Sequence, residues 1–389
     1  MPIPNIGEPI PEFTATLSDG RSVHSDQLAG RFTTLCFFGS GAIPAMADMV
    51  RNIIALQDVF DGLDQIFIGI SIDPDDNSLH DDIGKPSPGV RWLWDFAQDL
   101  SKLFGAVAAE NQGEDEVSFQ PLTILIDPNL RVVAVHRIDD PAEHPQILGG
   151  FLDALPTMGP PRPAAPQPPV LMVPMAFEPE FCRQLVAHAE NGEWHQSGFF
   201  EEKEGKTALS FDTRRKLRSD FLLQQKELQE AAHARIARRV APEIFKAFHF
   251  RVTRLERSVI ARYQQGEYFR IHRDNNTQGT AHRAFAITIP LNAGMFEGGQ
   301  IRFPEFGPQT YSAPTGCALV HSCGLLHEVQ QVRAGVRYAF IPIVYGAEGA
   351  QVRGKNQALL APGVSQDRRE SQPPGTPAGD KPEEPVNEP

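Results

Sequence analysis

Seven prolines stand within residues 156–169 (PTMGPPRPAAPQPP). Each proline fixes its own φ and lacks an N–H, so neither a helix nor a central strand can run through the segment. It reads as a stiff, extended linker, and the chain must then fold as separate bodies on its two sides. A second shift begins near residue 350, where QVRGKNQALLAPG and SQPPGTPAGDKPEEPVNEP are rich in Pro, Gly and charge and lack aromatics. Such a stretch buries too little apolar surface to offset its ordering entropy, so residues 350–389 are expected to be disordered. The chain thus divides into a unit at 1–155, the linker at 156–169, a unit at 170–347 and the tail. The full length of 389 residues agrees, since it suggests about two to three domains.

The composition, 41% hydrophobic and 22% charged, is that of a soluble globular protein. No apolar run reaches the roughly 18 residues that a membrane span needs. The opening MPIPNIGEPIPEF has neither a basic nor an apolar signal region, so a cytoplasmic location is expected. A net charge of −13 argues against a nucleic-acid partner, because phosphate neutralisation needs a basic surface. The local basic stretch Arg214, Arg215, Lys216 and Arg218 reads as a solvated or helix-flanking face. Four cysteines (Cys36, Cys182, Cys317, Cys323) contain no CxxC and read as reduced, packed thiols.

The first unit alternates strand and helix patterns. Apolar runs at 32–38 and 65–71 suit buried parallel strands. Between them, residues 45–60 carry Met46, Met49, Ile53, Ile54 and Phe60 at helical spacing. A hairpin at 122–127 and 131–136 and a short helix at 145–155 complete an α/β sheet with helices on both faces. Asp73, Asp75 and Asp76 lack the glycine and the distal glutamate of a calcium loop and read as a strand-end turn.

Gly7, Pro11 and Phe13, the Leu35-Cys-Phe-Phe-Gly segment, and Gln120-Pro121-Leu122-Thr123 give this unit its character. It resembles the thioredoxin fold, and within it the peroxiredoxins; the resemblance implies a cis bond at Pro121. That family's chemistry requires a thiolate at a helix N-terminus. Here the matching position is Met46, the usual threonine is Ile43, and Cys36 lies inside a strand pattern. A thioredoxin-like module without redox activity is expected, one that recruits or positions a substrate or protein partner.

The second unit opens with a strand feeding a helix over 170–185. A long helical pattern follows at 227–247, with Pro242 inside it. Beyond residue 250 short strands with Gly, Pro and Asn turns suggest a sandwich or jelly roll. Within those strands stand His272 and Asp274, a distant His327, and Arg337 ten residues further on. Two histidines and a carboxylate on one face of an ion, with positions left open, are the ligand set of non-haem Fe(II) oxygenases. Were the strand to run on through Asp274, His272 and Asp274 would share a face. A guanidinium such as that of Arg337 pairs bidentately with a carboxylate and keeps its charge when buried. His321 reads as a core or pocket histidine, and His249 and His282 as surface or satisfied ones.

The pattern Tyr263-x-x-Gly266-x-Tyr268-x-x-x-His272-x-Asp274, with Leu291-Asn292, Gly298-Gly299, Pro314-x-Gly316 and His327-Glu-Val-x-x-Val-x-x-Gly335-x-Arg337-Tyr338, resembles the prolyl 4-hydroxylase-like 2-oxoglutarate/Fe(II) dioxygenases. One departure is Pro290, where the family often has tyrosine. The resemblance implies a double-stranded β-helix (jelly roll) with flanking helices, and Fe(II) on His272, Asp274 and His327. It places the distal carboxylate of 2-oxoglutarate on Arg337 and a cosubstrate hydrogen bond on Tyr263, with O2 as second cosubstrate, ascorbate as a candidate reductant, and no catalytic residue beyond the metal centre. The implied reaction hydroxylates an unactivated C–H bond, of a prolyl or other residue in a protein. The alternatives are a small-molecule hydroxylase and a non-catalytic binding protein. A groove flanked by mobile loops at 198–220 would suit a protein substrate, and a closed pocket a small one.

Overall fold

The computed structural model describes residues 3–56, 59–78, 87–107, 118–157, 167–362 and 364. Two compact units emerge, Met1–Pro163 and Ala164–Pro389. Most of the proline-rich segment, 158–166, and nearly all of the tail beyond residue 362 lie outside the described residues.

The first unit is thioredoxin-like. Its sheet runs in the order Val90–Trp94, Gln65–Ser71, Phe32–Gly39, Leu122–Ile126, Val132–Arg137. The first three strands are parallel and the last two antiparallel. The Val90–Trp94 strand was not anticipated from the sequence. Phe32–Gly39 is buried at every position, which is why it reads as a continuous apolar run. Its alternate residues feed two cores: Leu35 and Phe37 face Leu100 and Phe104, while Cys36 and Phe38 face Met49, Ile53, Leu148 and Leu152. Those last four belong to the helices Pro44–Ile54 and His144–Asp153.

Met46 sits in the first turn of the Pro44–Ile54 helix, and Cys36 is wholly buried. Burial pushes the Cys36 thiol up to about 12, so it is no thiolate. No cis peptide occurs among the described residues, so the expected cis bond at Pro121 is corrected to trans. Trans is the intrinsic preference, and here the Pro121 carbonyl accepts a hydrogen bond from the Ile138 N–H at 3.0 Å.

The second unit is a jelly-roll-type pair of antiparallel sheets. The larger runs Arg254–Glu256, Ile343–Tyr345, Phe285–Pro290, Arg337–Phe340, Val259–Tyr263, Ser219–Leu222, His195–Gln196, with Ala318–Ser322 linking Phe285–Pro290 to Val170–Val173. The smaller runs Lys216–Leu217, Tyr268–His272, His327–Val329, Ile301–Arg302, Thr310–Tyr311. Helices cover one face of the larger sheet: Phe181, Leu185, Ile236, Val240 and Ile244 pack on Ile260, Ile287, Ile289 and Phe340. Ala261 and Tyr263, next in alternation, turn instead toward Phe269 of the smaller sheet. Period-two alternation thus separates a structural face from a face available for chemistry.

The long helical pattern is realised as Lys226–Arg235, a π-turn at Ile236–Val240, and Ala241–Phe248. Pro242 lies in the first turn of the last segment, where its missing N–H costs little. The tail expected to be disordered from 350 begins otherwise. Residues Ala347–Asn356 form a helix, Arg353 donates to the Tyr345 hydroxyl at 2.8 Å, and Leu360 bridges Thr207. The anchors are a buried arginine and a strand edge, neither of which composition registers.

Candidate metal centre

The strands Tyr268–His272 and His327–Val329 are antiparallel neighbours, with His272 directly opposite His327. A directly opposed pair projects both side chains to one face, and the two imidazole centroids stand 4.2 Å apart. The strand ends at His272, so the condition that it run on through Asp274 is not met. Asp274 lies in the following turn, its N–H bonded to the Cys323 carbonyl at 3.0 Å. Its own carbonyl accepts from Arg283 at 3.1 Å. The turn returns the carboxylate to the histidines: Oδ1 is 3.7 Å from His272 Nε2, and Oδ2 is 3.6 Å from His327 Nε2.

Those separations are too long for hydrogen bonds, and all the donor atoms of the three side chains lie within 4.8 Å of one another. His272 Nδ1 faces the Arg270 carbonyl at 2.7 Å and His327 Nδ1 the Leu325 carbonyl at 3.0 Å. Each Nδ1 therefore carries the proton, and each Nε2 lone pair points at the shared space. Burial first, then the close approach of a second imidazole, His327, holds His272 well below the ordinary histidine range, which keeps its lone pair free. Burial pushes the Asp274 carboxyl up, but the facing imidazoles and Arg283 outweigh it, so Asp274 is ionised. The Phe269 ring stacks on His272 at 3.4 Å and fixes its plane. A half-buried carboxylate that accepts no hydrogen bond among the described residues and faces the Nε2 atoms of two imidazoles fits a divalent cation of the Fe(II) class.

A cavity of about 370 Å³ opens on this cluster and is lined by both sheets. Arg337, directly opposite Tyr263 across two strands, is only 4% exposed and lines it. Its guanidinium lies 5.2 Å from the Tyr263 ring centre and has no ion-pair or hydrogen-bond partner among the described residues. Gly299 makes room for it: with φ +68°, a Cβ there would stand 2.7 Å from Arg337 Cδ. The Tyr263 hydroxyl accepts from Arg218 Nη1 at 3.4 Å. His321 is buried beside His327, centroids 4.3 Å apart, and burial holds it down at about 3; it is a pocket histidine. His282 is buried rather than surface, 2.8 Å from Glu256. All four cysteines are buried.

Two regions depart from expectation. The basic stretch is a solvated face only in part: Arg214 and Arg215 are exposed, but Lys216, on the Lys216–Leu217 strand, and Arg218, just after it, are buried and line the cavity. Arg218 is compensated by Asp220 (2.8 Å) and Ser197 (2.9 Å), whereas Lys216 Nζ meets the Gly198 carbonyl at 2.6 Å and the Phe269 ring at 4.5 Å. Only the spacing of Lys216, Arg218 and Asp220, alternate residues of one segment, signalled a shared face. The segment 198–220 is no loose flank either. It contains a hairpin, Phe199–Lys203 with Lys206–Ser210, whose Thr207 accepts from the Gly279 N–H at 2.9 Å and from the Ala361 N–H through its carbonyl at 3.0 Å.

Residues 258–344 match the model of the 2OG-Fe(II) oxygenase superfamily and residues 6–135 that of the AhpC/TSA family, one match in each unit. No curated protein matches the chain. Among solved structures, it is similar to a Pseudomonas putida prolyl-4-hydroxylase (18% identity, 46% of this chain and 94% of that one, TM-score 0.38). It is also similar to a Burkholderia pseudomallei oxidoreductase of the 2OG-Fe(II) oxygenase family (19%, 45% and 84%, 0.35). A third likeness is to the Xanthomonas campestris bacterioferritin comigratory protein, described for alkyl peroxide reduction (20%, 36% and 90%, 0.33).

Proposed function

We propose that the second unit is an Fe(II)- and 2-oxoglutarate-dependent hydroxylase, converting R–H, O2 and 2-oxoglutarate into R–OH, succinate and CO2. The observation that carries the reading is a His–Asp–His cluster and a buried, unpartnered arginine in the walls of one cavity. His272, Asp274 and His327 would hold the metal, which when bound supplies the redox chemistry coupling decarboxylation to C–H oxidation. Arg337 would take the distal carboxylate of 2-oxoglutarate through two parallel N–H donors. Tyr263, wedged between Arg218 and Arg337, fixes that guanidinium and offers its hydroxyl to the cosubstrate. Phe269, Ile301, Val329 and Ile341 line the same cavity and exclude water from the reacting carbon.

A protein residue and a free small molecule are both chemically suited as R–H. The second is favoured by the hairpin at 199–210, tied to Gly279 at the cavity wall and to Ala361. The first unit, with a buried thiol, would serve in positioning or recruitment. The test is anaerobic Fe(II) titration with 2-oxoglutarate, following the weak visible band such a keto acid gives on Fe(II). The band is expected in the native protein and absent in His272→Ala. Its absence from well-folded native protein would sink the reading in favour of a binding role.

A further inference from the structure

The cavity walls carry more positive charge than the reaction's known participants can neutralise. Asp220 compensates Arg218, and Glu256 compensates Arg283 at 2.5 Å. A divalent metal would be neutralised by Asp274 together with the chelating carboxylate of 2-oxoglutarate, and Arg337 by the distal one. Arg215 pairs with Glu201 and Arg273 with Glu305, and Arg353 bonds the Tyr345 hydroxyl; Lys216 and Arg257 also line the cavity, and neither has a carboxylate within ion-pair reach among the described residues. Lys216 is 5% exposed and meets only a carbonyl and an aromatic face. Arg257 has an enclosed Nε with no partner, and its one hydrogen bond is a 3.5 Å contact to the Ile341 carbonyl. Its backbone is left-handed, φ +65°, a conformation that a non-glycine residue adopts at a cost.

The two cations line the same cavity as the Arg218–Asp220 pair, and both interact electrostatically with it. Burial outweighs the more distant Asp220 and Glu256 carboxylates and pushes both below their ordinary ranges, Arg257 to about 10. Buried charges are retained when something pairs them, and inside this wall only a ligand can.

We propose that Lys216 and Arg257 form a substrate-anion site, and that the molecule hydroxylated is a small one bearing a carboxylate or phosphate group. The word substrate rests on the hydroxylase reading; the anion site does not. Lys216 supplies a point charge and Arg257 a planar fork, a combination that suits an oxyanion. The cavity, at about 370 Å³, falls within the range of small-molecule sites.

The test uses full-length protein with stoichiometric Mn(II), a redox-silent stand-in for iron, and saturating 2-oxoglutarate at fixed ionic strength. Methylphosphonate and propionate are titrated separately while thermal unfolding is followed, because a ligand that binds only the folded state raises the midpoint in a saturable way. A saturable rise with one or both is expected, the tighter probe identifying the head group. Lys216→Met and Arg257→Gln should each weaken that binding by about tenfold or more, and Lys216→Arg and Arg257→Lys should recover most of it. Arg337→Gln should lose the response to 2-oxoglutarate and keep the response to the anion probe. No saturable rise with either probe, equal rises in the neutral variants, or parallel loss of both responses in all three neutral variants would overturn the site. A glutamate-containing peptide binding as tightly as the better probe would overturn the small-molecule assignment. An anion response in native protein that shows no 2-oxoglutarate response would defeat the hydroxylase reading and leave the anion site standing.

Discussion

Arg337 is a buried cation on a strand, opposite Tyr263, with an open cavity in front of it. Truncating one member of a buried charge pair costs about 2–5 kcal/mol. Arg337→Gln is therefore expected to weaken 2-oxoglutarate binding by about a hundredfold, read by calorimetry, with Fe(II) affinity close to native. Gly299 acts through the same side chain. Gly299→Ala combines a strained φ of +68° with a Cβ at 2.7 Å from Arg337 Cδ, so the guanidinium must shift. A loss of about tenfold in 2-oxoglutarate affinity is expected, in keeping with a small misplacement of a binding group. Native affinity in Gly299→Ala would show that the arginine is not held there by packing.

Arg218 and Asp220 lie two residues apart, which puts both side chains on one face of the chain entering the Ser219–Leu222 strand. Burial pushes the Asp220 carboxyl up, but the Arg218 charge outweighs it and holds it at about 2, against an ordinary 3.8. A depressed carboxyl stabilises the fold fully above its unfolded value and loses that contribution as pH falls through the folded one. Asp220→Asn should thus cost about 3–5 kcal/mol at neutral pH by leaving Arg218 buried and unpaired. The gap from native in urea midpoint should narrow as pH falls from 3.8 toward about 2. A gap constant over that window would mean the pair does not carry the stability. The hairpin at 199–210 makes a separate claim on the cavity wall. Thr207 donates to Glu202 at 2.8 Å and accepts from Gly279. Thr207→Val should speed amide exchange across 199–210, with a loss of about 1 kcal/mol.

In the whole molecule, a unit that matches the AhpC/TSA family model precedes one that matches the 2OG-Fe(II) oxygenase model. Cys36, the one cysteine in residues 1–163, is 0% exposed and its thiol is pushed up to about 12 by burial. Iron-free full-length protein is therefore expected to leave hydrogen peroxide unconsumed, and Cys36→Ser to change nothing in that assay. Consumption that disappears in Cys36→Ser would overturn that expectation.

Local chemistry was legible in the chain itself. Phe32–Gly39 reads as a buried strand because a central parallel strand is apolar on both faces. His272, Asp274, His327 and Arg337 were recognisable because few side chains ligate a metal or grip a carboxylate, and their spacing survives without knowledge of the fold. What the sequence left open depends on residues far apart in the chain. It did not show that His272 lies opposite His327, nor that Asp274 reaches them through a turn rather than along a strand. It marked Lys216 and Arg218 as solvated, because a charge is soluble until a sheet closes over it. Only the packing of two sheets decided which cations acquired carboxylates and which were left facing the cavity, since burial and pairing are properties of neighbours in space.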